Sequence, residues 1–207
     1  AWIDALREKF KTPLVYTMRV KRLFATNIIL FAAITMPALL FAGKWALAII
    51  GAELLLSNFI MLLADIVNTP IEKAINRHYY NDAKRIIESH KGLIVIGVTG
   101  SFGKTSTKNY LASVLAEKYN VLVTPGNFNT LLGVIRTIRE HLRPYHQVFI
   151  VEMGAKQRND IKEICDLVHP TIGIVTAVGE MHLETFKSVE NIQDTKFELI
   201  NSLPADG

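Results

Sequence analysis

The sequence predicts an α/β domain with a doubly wound parallel sheet behind a phosphate-binding loop (P-loop), preceded by a transmembrane helical hairpin. Three observations predict it. From residue 93 onward, short continuous apolar runs alternate with helical stretches; a glycine-rich turn bearing Lys and Thr follows the first of those runs; and two long, nearly uncharged segments precede residue 66.

The elements follow in order. Residues 1–22 form a basic segment expected on the cytoplasmic side, with Arg7, Lys9, Lys11, Arg19, Lys21 and Arg22. Residues 23–66 hold two expected transmembrane helices. "LFATNIILFAAITMPALLFA" (23–42) has no charge over about the length needed to cross the hydrocarbon core, and "WALAIIGAELLLSNFIMLLA" (45–64) has only Glu53. Lys73, Arg77, Lys84 and Arg85 come next, whereas the connecting turn offers only Lys44, so the positive-inside rule places both flanks in the cytoplasm. The alternative is a soluble helical hairpin buried in a large core. Glu53, costly in lipid, is expected to be protonated or to face Asn27 or Asn58. Residues 67–92 read as a polar helical linker. In 93–207, strands are expected at "LIVIGV", "NVLVT", "QVFIVEM" and "TIGIVTAV", and helices at "KTSTKNYLASVLAEKY", "TLLGVIRTIREHL" and "RNDIKEICDLV". That is the βαβαβαβ order of a doubly wound sheet.

Composition narrows the function classes. Half of the 207 residues are apolar, which is high for a purely soluble protein. The single cysteine, Cys165, cannot form an internal disulfide and reads as a small core residue. The net charge of +4 arises from basic residues beside apolar stretches rather than interleaved with aromatics, so no nucleic-acid partner is expected. The chain begins at Ala1 and stops just after a helical pattern, as expected of a piece of a longer protein.

The chemistry is expected at "GVTGSFGKTSTKN" (97–109), between a buried strand and a helix. Gly100 and Gly103 let the backbone bend so that successive N–H groups point inward, the helix adds its positive end, and Lys104 supplies a full charge for a phosphate. Thr105 would hold a magnesium ion on its hydroxyl. The spacing departs from the strict P-loop pattern, because Val98 stands where the first glycine belongs and Gly97 is one place early.

"TGSFGKTST" (99–107) resembles the T-G-[ST]-x-G-K-[ST]-[ST] loop of the Mur ligases, ATP-dependent amide-forming enzymes of cell-wall synthesis. "TPGNFNTLLGV" (124–134) is similar to the T-x-G-N-x-N stretch of the D-alanyl-D-alanine-adding branch, "VEMGA" (151–155) to its E-M-G-[AM] strand end, "GEMHLETF" (179–186) to its G-x-x-H-L-E turn, and "TKFELI" (195–200) to its A-K-x-E-[IL] helix. One departure is Ala177, where relatives usually have Asn after the threonine matched here by Thr176.

The resemblance implies ATP and Mg2+ as cofactors. Thr99, Gly100, Ser101, Phe102, Gly103, Lys104, Thr105 and Ser106 would bind the nucleotide; Thr105, Glu152, His182 and Lys196 would hold metal, Lys196 as a carbamate; and Lys104, Lys196 and His182 would serve catalysis. Asn127, Asn129 and Thr130 would contact the substrate. From the residues alone, Glu152 is placed at a strand end on the ligand-binding edge of the sheet, where a carboxylate suits a hard cation. The implied partners are a muramoyl peptide, UDP-linked or lipid-linked, and an amine such as D-alanyl-D-alanine, with the membrane as location. Two other readings stand beside this: a polyglutamate or folylpolyglutamate-type ligase, and a membrane-tethered nucleotide-binding scaffold.

Overall fold

The structure, a computed structural model, describes residues 16–180 and 183–205. Most of the basic segment 1–22, and His182, lie outside the described residues. The chain divides into two compact units, Ala1–Ile75 and Asn76–Gly207.

In the first unit, α1 (Met18–Phe41) starts at Thr17, whose hydroxyl accepts from the Val20 N–H at 3.3 Å. A short 3-10 turn, Gly43–Trp45, leads to α2 (Ala46–Leu55) and α3 (Ser57–Ser89). Helix α1 is long and apolar enough to cross a membrane, and 6% of its apolar window is buried among the described residues. The second apolar run differs from the single straight helix expected: it bends by 66° where α2 meets α3. Backbone bonds to Leu56 O from Phe59 and Ile60 restart the ladder there. Nothing in the local sequence marks that break.

Polar groups pair across this unit. Asn68 donates to Thr26 Oγ1 at 3.0 Å, and Arg22 meets Glu72 at 2.6 Å. Glu53 is buried but faces neither Asn27 nor Asn58. Its Oε2 accepts from the Thr35 hydroxyl at 2.6 Å, one turn of polar chemistry supplied by α1, while Asn27 bonds back to Leu23 O on its own helix.

The second unit centres on four parallel strands, β1 (Ile94–Thr99), β2 (Val121–Val123), β3 (Val148–Glu152) and β4 (Ile172–Val175), in the order β2-β3-β1-β4. Helix α4 (Lys104–Ala116) covers one face, where Leu111, Ala112 and Leu115 pack on Ile96, Val98, Val148 and Ile150. The opposite face takes α5 (Leu131–His141), α6 (Asp160–Val168) and α8 (Val189–Asn201), the last following the single-turn α7 (Leu183–Phe186). Cover on both faces is why the strands read as unbroken apolar runs.

The expected polar linker is not solvated along its full length. From Asn76 on, α3 belongs to the second unit, and Ala83 and Ile87, four residues apart on one helix face, are buried against its core beside Tyr80. Gly97 is explained by packing rather than by phosphate binding. A Cβ there would lie 2.6 Å from Leu199 Cδ1 and 3.0 Å from Met153 Cε, so the bare strand position lets α8 sit close to β1.

Candidate functional site

The carboxyl edge of the sheet gathers the residues of interest. After β1 the chain turns through Gly100, at φ +142°, and a Cβ there would collide with Thr176 Oγ1. Gly103, at φ +78°, caps α4 in the left-handed region that favours glycine. The turn is fastened to the segment leaving β4: Ser101 N–H donates to Ala177 O at 2.6 Å, the Thr176 hydroxyl donates to Phe102 O at 2.6 Å, and Ser101 Oγ donates to Gly179 O at 2.9 Å. The bond to Ala177 uses its backbone carbonyl, which any residue offers.

Lys104, at the first position of α4, folds back over the turn and donates to Gly100 O at 2.7 Å and Ser101 O at 3.2 Å. Burial pushes its pKa below the ordinary lysine value, and the charge of Glu152 opposes that push. Those two carbonyl contacts hold the ammonium over the turn. Phe102 and Ser106 are exposed, whereas Thr99 is buried with its hydroxyl on Met153 O at 2.9 Å, which ties β1 to the exit of β3.

Glu152 ends β3 and is 1% exposed. Its Oε2 accepts from the Thr105 hydroxyl at 3.0 Å, and its Oε1 accepts from Asn129 Nδ2 at 3.1 Å. The carboxylate thus joins α4 to the loop after β2, bringing together Thr105, Glu152 and Asn129 from three separate motifs. Lys108, which sequence reasoning missed, sits 3.0 Å from the same Oε2. Its signal was its place one turn after Lys104 and three residues after Thr105, on one helix face.

A cavity of about 540 Å³ opens beside this cluster, lined by Gly100, Ser101 and Lys104 of the glycine turn on one side and by Asn129, Thr130 and Gly154 on the other. Asn127 is exposed and does not line it. Lys196 reaches the cavity from α8. Lys196 is 5% exposed, buried beside Thr195 while Gln193 and Asp194 on the same helix stay exposed. Burial first, and the charge of Lys104 second, bring its pKa down from 10.5 to about 8. Helix α8 is pinned by Glu198, whose carboxylate accepts the N–H groups of Asn159 and Lys162 at 2.8 and 2.9 Å at the start of α6. Among the described residues no group of three or more His, Cys, Asp or Glu side chains forms a metal cluster.

Comparison with known proteins matches residues 98–207 to the Mur ligase middle domain. The chain is 42% identical over 116 residues to UDP-N-acetylmuramoyl-tripeptide--D-alanyl-D-alanine ligase of Mycobacterium bovis, which covers 56% of the chain and 22% of the relative. It is 38% identical over 116 residues to the same-named ligase of Bacillus subtilis, covering 56% of the chain and 25% of the relative. Among solved structures, MurF from Acinetobacter baumannii superposes with a TM-score of 0.60 at 32% identity, over 62% of this chain and 28% of that one. MurF from Thermotoga maritima in complex with ADP gives 0.58 at 35% identity, over 61% and 29%. The chain therefore spans about a quarter of the length of the relatives it matches.

Proposed function

The chain belongs to the Mur ligase middle-domain family, and on that premise we propose that it holds the nucleotide site of an ATP-dependent ligase that adds D-alanyl-D-alanine, or a similar amine, to a muramoyl peptide. The observation that carries this reading is a single cavity edged by the glycine turn and Lys104, by Asn129 and Thr130, and by buried Lys196. The name of the ADP-bound relative supports the nucleotide, and the names of the curated relatives support the substrates.

In this reading the terminal phosphate of ATP passes to a substrate carboxylate, and an amine then attacks the acyl phosphate carbon, releasing phosphate and leaving an amide. Little covalent chemistry falls to the protein, so its residues act by placement and charge. Lys104 leaves the carbonyls of Gly100 and Ser101 to take phosphate oxygens. Asn129 and Thr130 orient the substrate carboxylate across the cavity.

The side chains suit a magnesium ion: Thr105 Oγ1 and Glu152 Oε2 are two adjacent hard oxygens, and Mg2+ typically uses one or two protein ligands and takes the rest from phosphate and water. When bound, it would neutralise charge developing on the transferred group. Lys196, lowered to about 8, offers more neutral amine at physiological pH than an ordinary lysine. Neutral amine is what carbamate formation requires. The apolar first unit motivates a lipid-linked rather than a soluble acceptor.

The test is phosphate release by the protein when ATP, muramoyl tripeptide and D-alanyl-D-alanine are supplied together. Release that needs all three, and is lost in Lys104→Ala and Lys196→Ala, supports the ligase. Release independent of the amine overturns it.

A further inference from the structure

We infer that Lys108 is a positioning residue that holds the loop of residues 124–130 in register with the nucleotide-side turn. The inference rests on the ligase reading only in treating that loop as the substrate side. The Lys108 ammonium has three N–H donors and meets three acceptors: Glu152 Oε2 at 3.0 Å, Thr124 O at 2.8 Å and Gly126 O at 2.7 Å. Its side chain is 1% exposed. A buried ammonium with an idle donor is strongly disfavoured, and the three acceptors together occupy its three donors.

A counter-ion for Glu152 would need only the carboxylate. Two of the three acceptors are instead backbone carbonyls of one loop, whose ends are tied to β3 by Thr124 N–H on Ile150 O and Glu152 N–H on Thr124 Oγ1, both at 3.1 Å, and by Asn129 Nδ2 on Glu152 Oε1 at 3.1 Å. Phe128 N–H to Pro125 O and Asn129 N–H to Asn127 O are local turns within it, while Gly154 N–H to Asn129 O, at 2.7 Å, is an outward tie at its far end. Between those ends Lys108 ties down Gly126 O, where the loop turns at φ +49°. Its own helix begins at the glycine turn, so the bond network passes from the turn through one helical turn to the loop bearing Asn129 and Thr130.

The experiment is amide hydrogen exchange on wild type, Lys108→Met and Lys108→Arg. In Lys108→Met, amides of 124–130 should exchange at least tenfold faster while those of β1 stay as slow as in wild type, and Lys108→Arg, which keeps charge and donors, should remain near wild type. Unchanged exchange in 124–130 overturns the inference, and so does equal acceleration of β1, which marks a general structural role. Should Lys108→Met fail to fold, the pair Lys108→Met with Glu152→Gln removes the orphaned carboxylate and is read in the same way. A second arm measures binding calorimetrically. Affinity for metal-free ADP should stay within threefold in Lys108→Met, while affinity for muramoyl tripeptide falls at least tenfold; equal losses overturn the assignment. If wild type binds neither ligand, the ligase reading fails, and exchange alone decides the role of Lys108.

Discussion

Lys104 and Lys196 face one cavity, and burial lowers the pKa of both, with the charge of Lys104 adding to the shift of Lys196 and that of Glu152 opposing the shift of Lys104. On the proposed reading, Lys104→Ala removes a charge-assisted contact to phosphate, typically about 1.5–3 kcal/mol, so ADP affinity should fall roughly 10- to 100-fold in a fluorescent-nucleotide titration. For Lys196 the sign follows from linkage. Its pKa is about 8 in the folded chain against 10.5 ordinarily, so between those values the unfolded chain binds more protons, and stability rises with pH. Below pH 8 the cost of burying the charge is fully present. Lys196→Met abolishes this dependence, so thermal melts from pH 7 to 10 should move in favour of wild type by on the order of 2 kcal/mol relative to the variant. A constant difference across that range would show that Lys196 titrates normally. The glycine turn, Glu152 and Lys196 stand in motifs the sequence shows, and the structure brings them to one edge of the sheet. Lys108 carried only the weak signal of sharing a helix face with Lys104, since only the fold tells a buried lysine from a solvated one on the same helix.

At the scale of elements, the approach of α8 to β1 decides whether Lys196 reaches the cavity at all. Gly97→Ala drives a methyl against Leu199 and Met153, and overpacking of this kind costs about 1–3 kcal/mol. Both a lower melting temperature and a Lys196 pKa drifting back toward 10.5 are expected, the latter by NMR titration; an unchanged pKa would separate the packing from the site. Thr130 caps α5 by accepting the Gly133 N–H at 3.3 Å, so Thr130→Ala should cost about 1 kcal/mol in chemical denaturation, apart from any effect on substrate. The four strands and their helices follow directly from apolar runs and caps, which are local signals. Two features were hidden because they depend on distant partners: the packing role of Gly97, and the burial of Ala83 and Ile87 at the end of α3. The 66° break in the second apolar run was also absent from the pattern, since hydropathy reports composition and not the course of the backbone.

For the whole molecule the open quantity is whether the first unit spans a bilayer. Phe41, Leu47 and Leu55 are each at least 84% exposed, a surface suited to lipid and hazardous in water. The basic residues Arg19, Lys21 and Lys73 flank the pair of apolar runs, whereas the turn offers Lys44 alone. A spanning hairpin therefore puts Lys44 outside and Lys73 inside. Cysteines at those two exposed positions report this directly, because the native Cys165 is buried, with its thiol pushed up to about 11, and contributes little background. In intact cells a membrane-impermeant maleimide should label Lys44→Cys and spare Lys73→Cys, and opening the membrane should make both react. A soluble hairpin within the cell predicts that both stay unlabelled until lysis. Labelling of Lys73→Cys alone would invert the topology and put the nucleotide site on the side without ATP, a result incompatible with the ligase.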